Sequence, residues 1–85
     1  MNLHFEELWE KGEESCDKDS SPEEVLKEIS IKLDLLKTIS SSQLSGSDRA
    51  KSLSLAFGSL LKSFCHLSMI ENINVYAALL ESLKE

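Results

Sequence analysis

Three charged side chains are spaced one helical turn apart in the first half of the chain. Glu24, Glu28 and Lys32 follow one another at intervals of four residues, which places them in a row along one side of a helix. Carboxylates on one helix face are the ligands of magnesium sites in helical bundles. The structural interpretation is a helix-capping Glu24 followed by a Glu28–Lys32 ion pair that contributes about 0.2–0.5 kcal/mol. We favour this structural interpretation, and we predict neither a metal site nor a catalytic residue. Glu24 and Glu28 are the only candidate metal ligands under the first interpretation.

The histidines and glycines offer no other catalytic arrangement. His4 and His66 have no second His, Cys or Asp at ligand spacing, and we expect His66 to be a solvated surface residue. A phosphate-binding loop needs clustered glycines, whereas the three glycines of this chain lie far apart, at positions 12, 46 and 58.

Two cysteines cannot make a disulfide framework or a Cys-x-x-Cys metal motif at this spacing. Cys16 lies in a polar stretch and Cys65 lies among apolar residues. We predict a free surface thiol at Cys16 and a small core residue at Cys65.

Composition limits the possible partners. The chain has 85 residues and a formal net charge of −6, from 15 acidic and 9 basic residues, so one domain that binds no nucleic acid is expected. The uninterrupted apolar runs are far shorter than the roughly 20 residues of a membrane span, and the acidic start does not resemble a signal peptide. We therefore expect a cytoplasmic protein that binds no membrane.

The pattern of apolar residues predicts an all-α fold, a small bundle of about four helices. The first helix is predicted over residues 3–12, with Leu3, Phe5, Leu8 and Trp9 on one side. Residues 13–20 are polar and charged, which is typical of a mobile linker. The predicted division is therefore an N-terminal helix and flexible acidic linker over residues 1–20, and a helical core domain over residues 21–85.

The second helix has the clearest start signal in the chain. Ser21 as N-cap, Pro22 at the first helical position and Glu24 three residues after the cap form a capping box. We expect this helix to continue to about Ile39. Its apolar residues cover more than half of its circumference, so it must be contacted from more than one side.

Two further helices are predicted in the second half. The third begins near Ser47 or Asp48, and its apolar residues recur every three or four positions: Ala50, Leu53, Ala56, Phe57, Leu60, Leu61, Phe64 and Leu67. Its opposite, polar face carries Ser52, Ser59, Lys62, Ser63 and His66. Asn74 is predicted to cap the fourth helix, in which Val75, Ala78, Leu79 and Leu83 turn inward.

The segment FGSLLKSFCHLSMIENINVYAALLESL resembles the C-terminal half of the MazG-like, all-α NTP pyrophosphohydrolase domains. In that family a helix with an acid-x-x-Gly-Asp type motif is followed by a turn and by Ile-Asp, whose Asp caps a last helix. Gly58, Leu60 and Leu61 match the first part, and Ile73, Asn74, Ala78 and Leu79 match the second. The resemblance covers about residues 22–84 and implies that the second helix corresponds to the one carrying the family's Glu-Glu-x-x-Glu motif.

The departures from this family concern its acidic residues. The resemblance implies about four carboxylates that hold Mg²⁺ against a triphosphate, but Ala56 and Ser59 occupy the acidic positions of the third helix. On the second helix the Glu-Glu-x-x-Glu motif can be aligned in two ways, and each lacks one acid. An alignment that ends at Glu28 has Val25 at the second position, and one that starts at Glu23 has Lys27 at the last position. The resemblance therefore implies the helical scaffold without its catalytic centre, with Gly58 allowing a neighbouring helix to approach and Ser59 being a packing or solvated residue.

Three functions remain open at this point. The first is a non-catalytic module for protein–protein interaction or assembly, a homodimer or higher oligomer, or a binder of another protein. Its apolar interface would comprise Leu33, Leu36, Phe57, Leu61 and Phe64. The second is a divergent Mg²⁺-dependent nucleoside triphosphate pyrophosphohydrolase that uses Glu24 and Glu28. The third is a chaperone or regulator that binds a partner helix in an apolar groove.

Overall fold

Four α-helices form the protein in this computed structural model, which describes residues 4–84. They are α1 (Phe5–Glu14), α2 (Pro22–Ser40), α3 (Gly46–Ile70) and α4 (Val75–Leu83). Residues 4–84 contain no strand, so the predicted small all-α bundle is confirmed. Leu3 of the first predicted helix and Glu85 at the end of the predicted core domain lie outside the described residues.

The capping residues begin two helices where the sequence predicts. The Ser21 hydroxyl accepts a hydrogen bond from the Glu24 N–H at 3.2 Å, with Pro22 at the first helical position. The Asn74 side chain accepts from the Ala77 N–H at 3.0 Å. Each bond satisfies one of the N–H groups that a helix start leaves unpaired.

A Schellman turn ends α3. The Ile73 N–H donates to the Ser68 carbonyl at 2.8 Å, and the Asn72 N–H donates to the Met69 carbonyl at 3.4 Å. Asn72 has a positive φ of 57°, the left-handed conformation that this motif needs and that asparagine tolerates better than most residues. After this turn, residues of α4 line a pocket together with Leu61, Phe64 and Leu67 of α3.

α2 and α3 pack against each other as an antiparallel pair. Val25 of α2 is buried, and so are Ala56 and Leu60 of α3. The Arg49 guanidinium donates to the Ser40 carbonyl at 3.0 Å, which satisfies an unpaired carbonyl at the end of α2. This pair provides most of the described core.

α1 packs on another side of α3. Trp9 is only 8% exposed, and its indole Nε1–H donates to the Ser68 hydroxyl at 3.2 Å. Gly12 lies so close to Cys65 that a Cβ at Gly12 would be 2.9 Å from the Cys65 Sγ. Burial raises the pKa of the Cys65 thiol to about 11, so at neutral pH this thiol is neutral and suits the apolar contact. The core role predicted for Cys65 is confirmed.

The segment after α1 is less detached than the sequence suggests. α1 continues to Glu14 rather than to about Gly12, so the predicted linker loses its first two residues. Cys16 is half-buried and its thiol donates to the Gly12 carbonyl at 3.0 Å, which corrects the prediction of a surface thiol. The mobility predicted for residues 15–20 stays a prediction.

α4 is the most exposed helix. None of its residues is buried; Leu79 is 57% and Leu83 73% exposed. The prediction that Val75, Ala78, Leu79 and Leu83 turn inward is therefore wrong as to burial, since only Val75 is half-buried. The first three nevertheless line a pocket shared with α3, whereas Leu83 does not. The ring of Tyr76 meets that of Phe5 edge-on, with 6.5 Å between the ring centroids, and this contact ties α4 to α1.

α3 also meets the length and composition criteria of a membrane-crossing helix. It has 25 residues, and its most apolar stretch of 18 has a mean hydropathy of 1.4. The uninterrupted apolar runs considered in the sequence do not reveal this stretch, because polar residues, mostly serines, break them. α3 packs against both α1 and α2, and 28% of this stretch is buried in the structure.

Candidate functional site

The predicted row of charges forms a hydrogen-bonded cluster between α2 and α3. The Lys32 ammonium lies 2.8 Å from the Glu28 Oε1 and donates to the Ser63 hydroxyl at 2.7 Å and to the Ser59 carbonyl at 3.2 Å. The Ser63 hydroxyl donates to the same Glu28 oxygen at 3.0 Å. Because an ammonium has three N–H groups, Lys32 has a partner for each of them. We call these residues, Glu28, Lys32, Ser63 and the Ser59 carbonyl, the polar cluster.

The polar cluster holds Glu28 in its ionised form. The hydrogen bonds from Lys32 and then from Ser63 lower the pKa of the Glu28 carboxyl, since both favour the charged form. The ion pair predicted from spacing is therefore present. Glu24 is exposed and donates only its backbone N–H, to the Ser21 cap. Within residues 4–84 no group of three His, Cys, Asp or Glu side chains could hold a metal ion.

The face of α3 predicted to be solvated is the one that meets α2. Ser63 is only 2% exposed, and its hydroxyl lies within the polar cluster. The His66 Nε2 lies 2.7 Å from the Asp17 carbonyl oxygen, so this half-buried ring is bonded to the segment between α1 and α2. The prediction of a fully solvated His66 is therefore corrected: the ring is half-buried, although its hydrogen bond to the Asp17 carbonyl is at an exposed position.

A polar cavity of about 240 Å³ lies beside the polar cluster. Side chains of both charge signs line it, together with a thiol and hydroxyls. They are Ser15, Cys16, Asp17, Glu28, Lys32, Lys62, Ser63 and His66. The Lys32 ammonium, the Glu28 carboxylate and the Ser63 hydroxyl are already hydrogen-bonded to one another. We therefore assign the polar cluster a structural role.

Ala56 and Ser59, which stand at the acidic positions of the resembled family, lie at least partly within the packed part of α3. Ala56 is buried and Ser59 is half-buried, with the Ser59 carbonyl in the polar cluster. A Cβ at Gly58 would meet nothing within 4 Å. The prediction that Gly58 allows a helix to approach closely is therefore wrong, and Gly12 is the glycine that does so.

An apolar groove lies between the end of α3, Trp9 of α1 and α4. It has a volume of about 350 Å³ and opens to the surface. No charged residue lines it: the lining consists of Trp9, Leu61, Phe64, Leu67, Ser68, Ile73, Val75, Ala78 and Leu79. We call this the apolar groove. The groove could not be predicted from the sequence, because it requires α4 to face α3 without burying its own leucines.

Carboxylates of α1 flank the apolar groove. Glu6, Glu10 and Glu13 share one side of α1 because they are spaced by four and three residues. Glu10 and Glu13 line a second cavity, of about 240 Å³, which shares Ile73 and Val75 with the apolar groove. We call these three glutamates the acidic rim.

Two further observations place the acidic rim. The pKa of Tyr76 on α4 is raised, first by loss of water around its hydroxyl and then by Glu6, Glu10 and Glu13. The Ser68 hydroxyl, whose residue lines the groove, donates to the Glu13 Oε2 at 2.8 Å. The rim therefore lies along the edge of the groove formed by α1.

The five residues predicted as an interface are on α2 and α3, and all are at least partly accessible. Phe57, Leu61 and Phe64 form one stripe of α3, since they are spaced by four and three residues. Phe57 is 53% and Phe64 41% exposed, whereas Leu61 contributes to the apolar groove. On α2, Leu33 is exposed and Leu36 is half-buried.

Exposed leucines of α2 extend this stripe. Leu35 lines a cavity of about 290 Å³ together with Leu55. These two leucines therefore lie on one flank of the α2–α3 pair. Leu26 and Leu33 are seven residues apart, so they lie on the same side of α2, and helical spacing puts that side opposite to Leu35. The flank with Leu26, Leu33, Phe57 and Phe64 is continuous with the apolar groove, and we call these four residues the apolar face.

Comparison with known proteins adds no relative: no family model, curated protein or solved structure matches the chain significantly.

Proposed function

We propose that this protein is a non-catalytic helical module that assembles with copies of itself through the apolar face. The observation that carries the proposal is the exposure of Phe57 and Phe64 beside Leu26 and Leu33 on one flank of the helix pair. Burying a side chain of this size contributes about 1.5–3 kcal/mol relative to leaving it in water. Four such side chains on a small domain therefore favour association, as contiguous exposed apolar patches usually do.

The small size of the chain supports the same proposal. A domain of 85 residues buries little apolar surface by itself, and oligomerisation is a common way for small domains to complete their cores. The described residues bury five apolar side chains, those of Trp9, Val25, Ala56, Leu60 and Cys65. Self-association would add the apolar face to this core.

The polar cluster supports the absence of catalysis. Glu28 is engaged by Lys32 and Ser63, and a triphosphate–magnesium site needs several carboxylates directed at the ion. We retain the MazG-like scaffold as a proposal based on the sequence pattern, with the divergent pyrophosphohydrolase as the alternative enzyme. A chaperone or regulator of partner helices is the third candidate, and the apolar groove favours it.

Light scattering tests self-assembly. At micromolar concentration the mass should be at least twice the 9.5 kDa of one chain, and Phe57→Glu should return it to one chain, because a carboxylate in the interface loses its hydration. Leu55→Glu, on the opposite flank of the pair, is the matched control and should leave the mass unchanged. A wild-type mass of one chain would exclude assembly through the apolar face.

A further inference from the structure

The apolar groove is a separate surface from the part of the apolar face that Phe57 and Leu33 represent. It lies at the C-terminal end of α3 and is lined by residues of α1, α3, the turn before α4 and α4 itself. Its volume of about 350 Å³ lies at the lower end of the range for pockets that hold a ligand in proteins. Space for a few large apolar side chains is therefore present between Trp9 and Leu79.

One wall of the groove is free to adjust. α4 buries none of its residues, and it follows a turn of four residues after α3. Segments with few buried contacts open at low free-energy cost. A longer apolar surface than the groove now holds can therefore enter by displacing α4 slightly.

Charge distinguishes the possible occupants. The groove lining carries no charge, but the acidic rim places Glu6, Glu10 and Glu13 along its α1 edge. Apolar anchors on a ligand would fit the lining, and cationic groups on one flank of the same ligand would meet the rim. Complementary potentials of this kind increase association rates and select partners.

We propose that the apolar groove binds a cationic amphipathic helix of another protein, with its apolar residues in the groove and its Lys or Arg residues against the acidic rim. Such a helix presents anchors at spacings of three, four and seven residues, as in other helix-in-groove complexes. This proposal rests on the proposed function only in that the protein acts by binding proteins. Its surface adjoins the one used in self-assembly and shares Phe64 with it.

A second copy fits this groove poorly. Each copy carries a formal charge of −6, so two rims would face like charges. α4 is the most apolar exposed helix of a copy, and its neighbourhood offers one cation, Lys84, which is paired with Glu81 at 3.5 Å. A second copy would therefore supply apolar residues for the groove but no cations to pair with the carboxylates of the acidic rim.

Calorimetric titration with synthetic helical peptides tests the proposal. The probe is an end-capped peptide of about 18 residues, long enough to form a helix, with leucines at helical spacing and lysines along one flank. A peptide of the same length with glutamate at each lysine position is its charge-reversed control. We expect the lysine peptide to bind at low salt and the glutamate peptide to bind at least tenfold more weakly; equal affinities would overturn the proposal.

Two pairs of variants locate the binding. Glu6→Gln/Glu10→Gln should weaken the lysine peptide about fivefold, since each exposed ion pair contributes about 0.2–1 kcal/mol. Glu23→Gln/Asp34→Asn on α2 removes the same charge away from the groove and should change the affinity less than twofold. Leu79→Ser should weaken binding about tenfold, whereas Leu83→Ser, on α4 but outside the lining, should not.

The possible failures are distinct. Equal weakening by the two charge variants means that binding follows net charge alone, which overturns the groove proposal. A light-scattering mass that falls in Leu79→Ser, with no peptide bound by the wild type, means that a second copy fills the groove, which also overturns it but leaves self-assembly standing. A wild-type mass of one chain, with peptide binding as expected, excludes self-assembly and leaves the groove proposal standing.

Discussion

Ser63 connects α3 to the charged row of α2 through one buried hydroxyl. It accepts from Lys32 and donates to Glu28, so each of its two hydrogen bonds involves a charged group and is stronger than one between neutral groups. The Glu28–Lys32 pair was predictable because its spacing is local to one helix. The role of Ser63 was not, since a serine on the polar face of a helix looks the same in sequence whether it meets water or another helix.

The pH dependence of stability should include a contribution from Glu28. Its pKa is lowered in the folded protein, so its contribution is complete above the unfolded value of about 4.3 and is lost as the pH falls through the folded value. Urea unfolding at pH 7 and pH 3 should therefore show a larger loss of unfolding free energy for the wild type than for Glu28→Gln.

Glu24→Gln is the control for this comparison. Glu24 lies one turn earlier on the same helix and outside the polar cluster, so the variant should lose as much free energy on acidification as the wild type. An acid-induced loss in Glu28→Gln equal to that of the wild type would contradict the role assigned to the carboxylate.

The two helical glycines should respond oppositely to alanine. Gly58→Ala should raise the unfolding free energy by about 0.5–1 kcal/mol, because alanine favours the helix and a Cβ there meets nothing within 4 Å. Gly12→Ala should lower it by about 1–3 kcal/mol through overpacking, since its Cβ would lie 2.9 Å from the Cys65 Sγ. Thermal unfolding of both variants decides the matter, and equal stabilisation by the two would show that α1 shifts freely on α3.

At the scale of elements, helix ends were more predictable than helix orientations. Ser21 and Asn74 act as caps where predicted, because a cap bonds to an N–H three residues away and depends on nothing distant. The inward orientation of Leu79 and Leu83 depended on where α4 lies relative to α3. That position follows from the Schellman turn at Asn72, and asparagine there did not distinguish this turn from other helix ends.

Hydrogen exchange should be faster in α4 than in α1. The two helices have similar lengths, 9 and 10 residues, but α1 buries Trp9 whereas α4 buries nothing, so α4 opens at lower free-energy cost. Exchange followed by mass spectrometry, at a concentration where light scattering gives the mass of one chain, measures this difference. Protection of α4 equal to that of α1 would mean that α4 is held by contacts beyond those described.

At the scale of the whole molecule, the pattern of apolar residues predicted the all-α class but not which helix faces pack against each other. The apolar positions of α3 cover a wide arc, of which the sequence assigned Phe57, Leu61 and Phe64 to an interface without indicating where the other helices would meet the rest. In the structure α2 meets the polar edge of that arc through Ser63, and Cys65 meets α1. These two positions are about 200° apart at 100° per residue, so part of the apolar arc between them, with Phe57 and Phe64, stays exposed.

The whole protein should not release pyrophosphate from nucleoside triphosphates. With Mg²⁺ or Mn²⁺ and a panel of canonical and modified triphosphates, the expected result is no turnover, because Glu28 is engaged within the polar cluster and Ala56 and Ser59 provide no carboxylate. A coupled assay for pyrophosphate measures this. Release that disappears in Glu28→Gln would make the pyrophosphohydrolase the leading function.

The position of Trp9 makes the protein its own optical probe. Trp9 is the single tryptophan of the chain, its ring lines the apolar groove, and its indole N–H is bonded to the Ser68 hydroxyl. Indole emission responds to water around the ring and to this hydrogen bond. Fluorescence selectively excited at the tryptophan band therefore arises from one place only, so anything that enters the groove or moves α4 away changes the spectrum of the unlabelled protein.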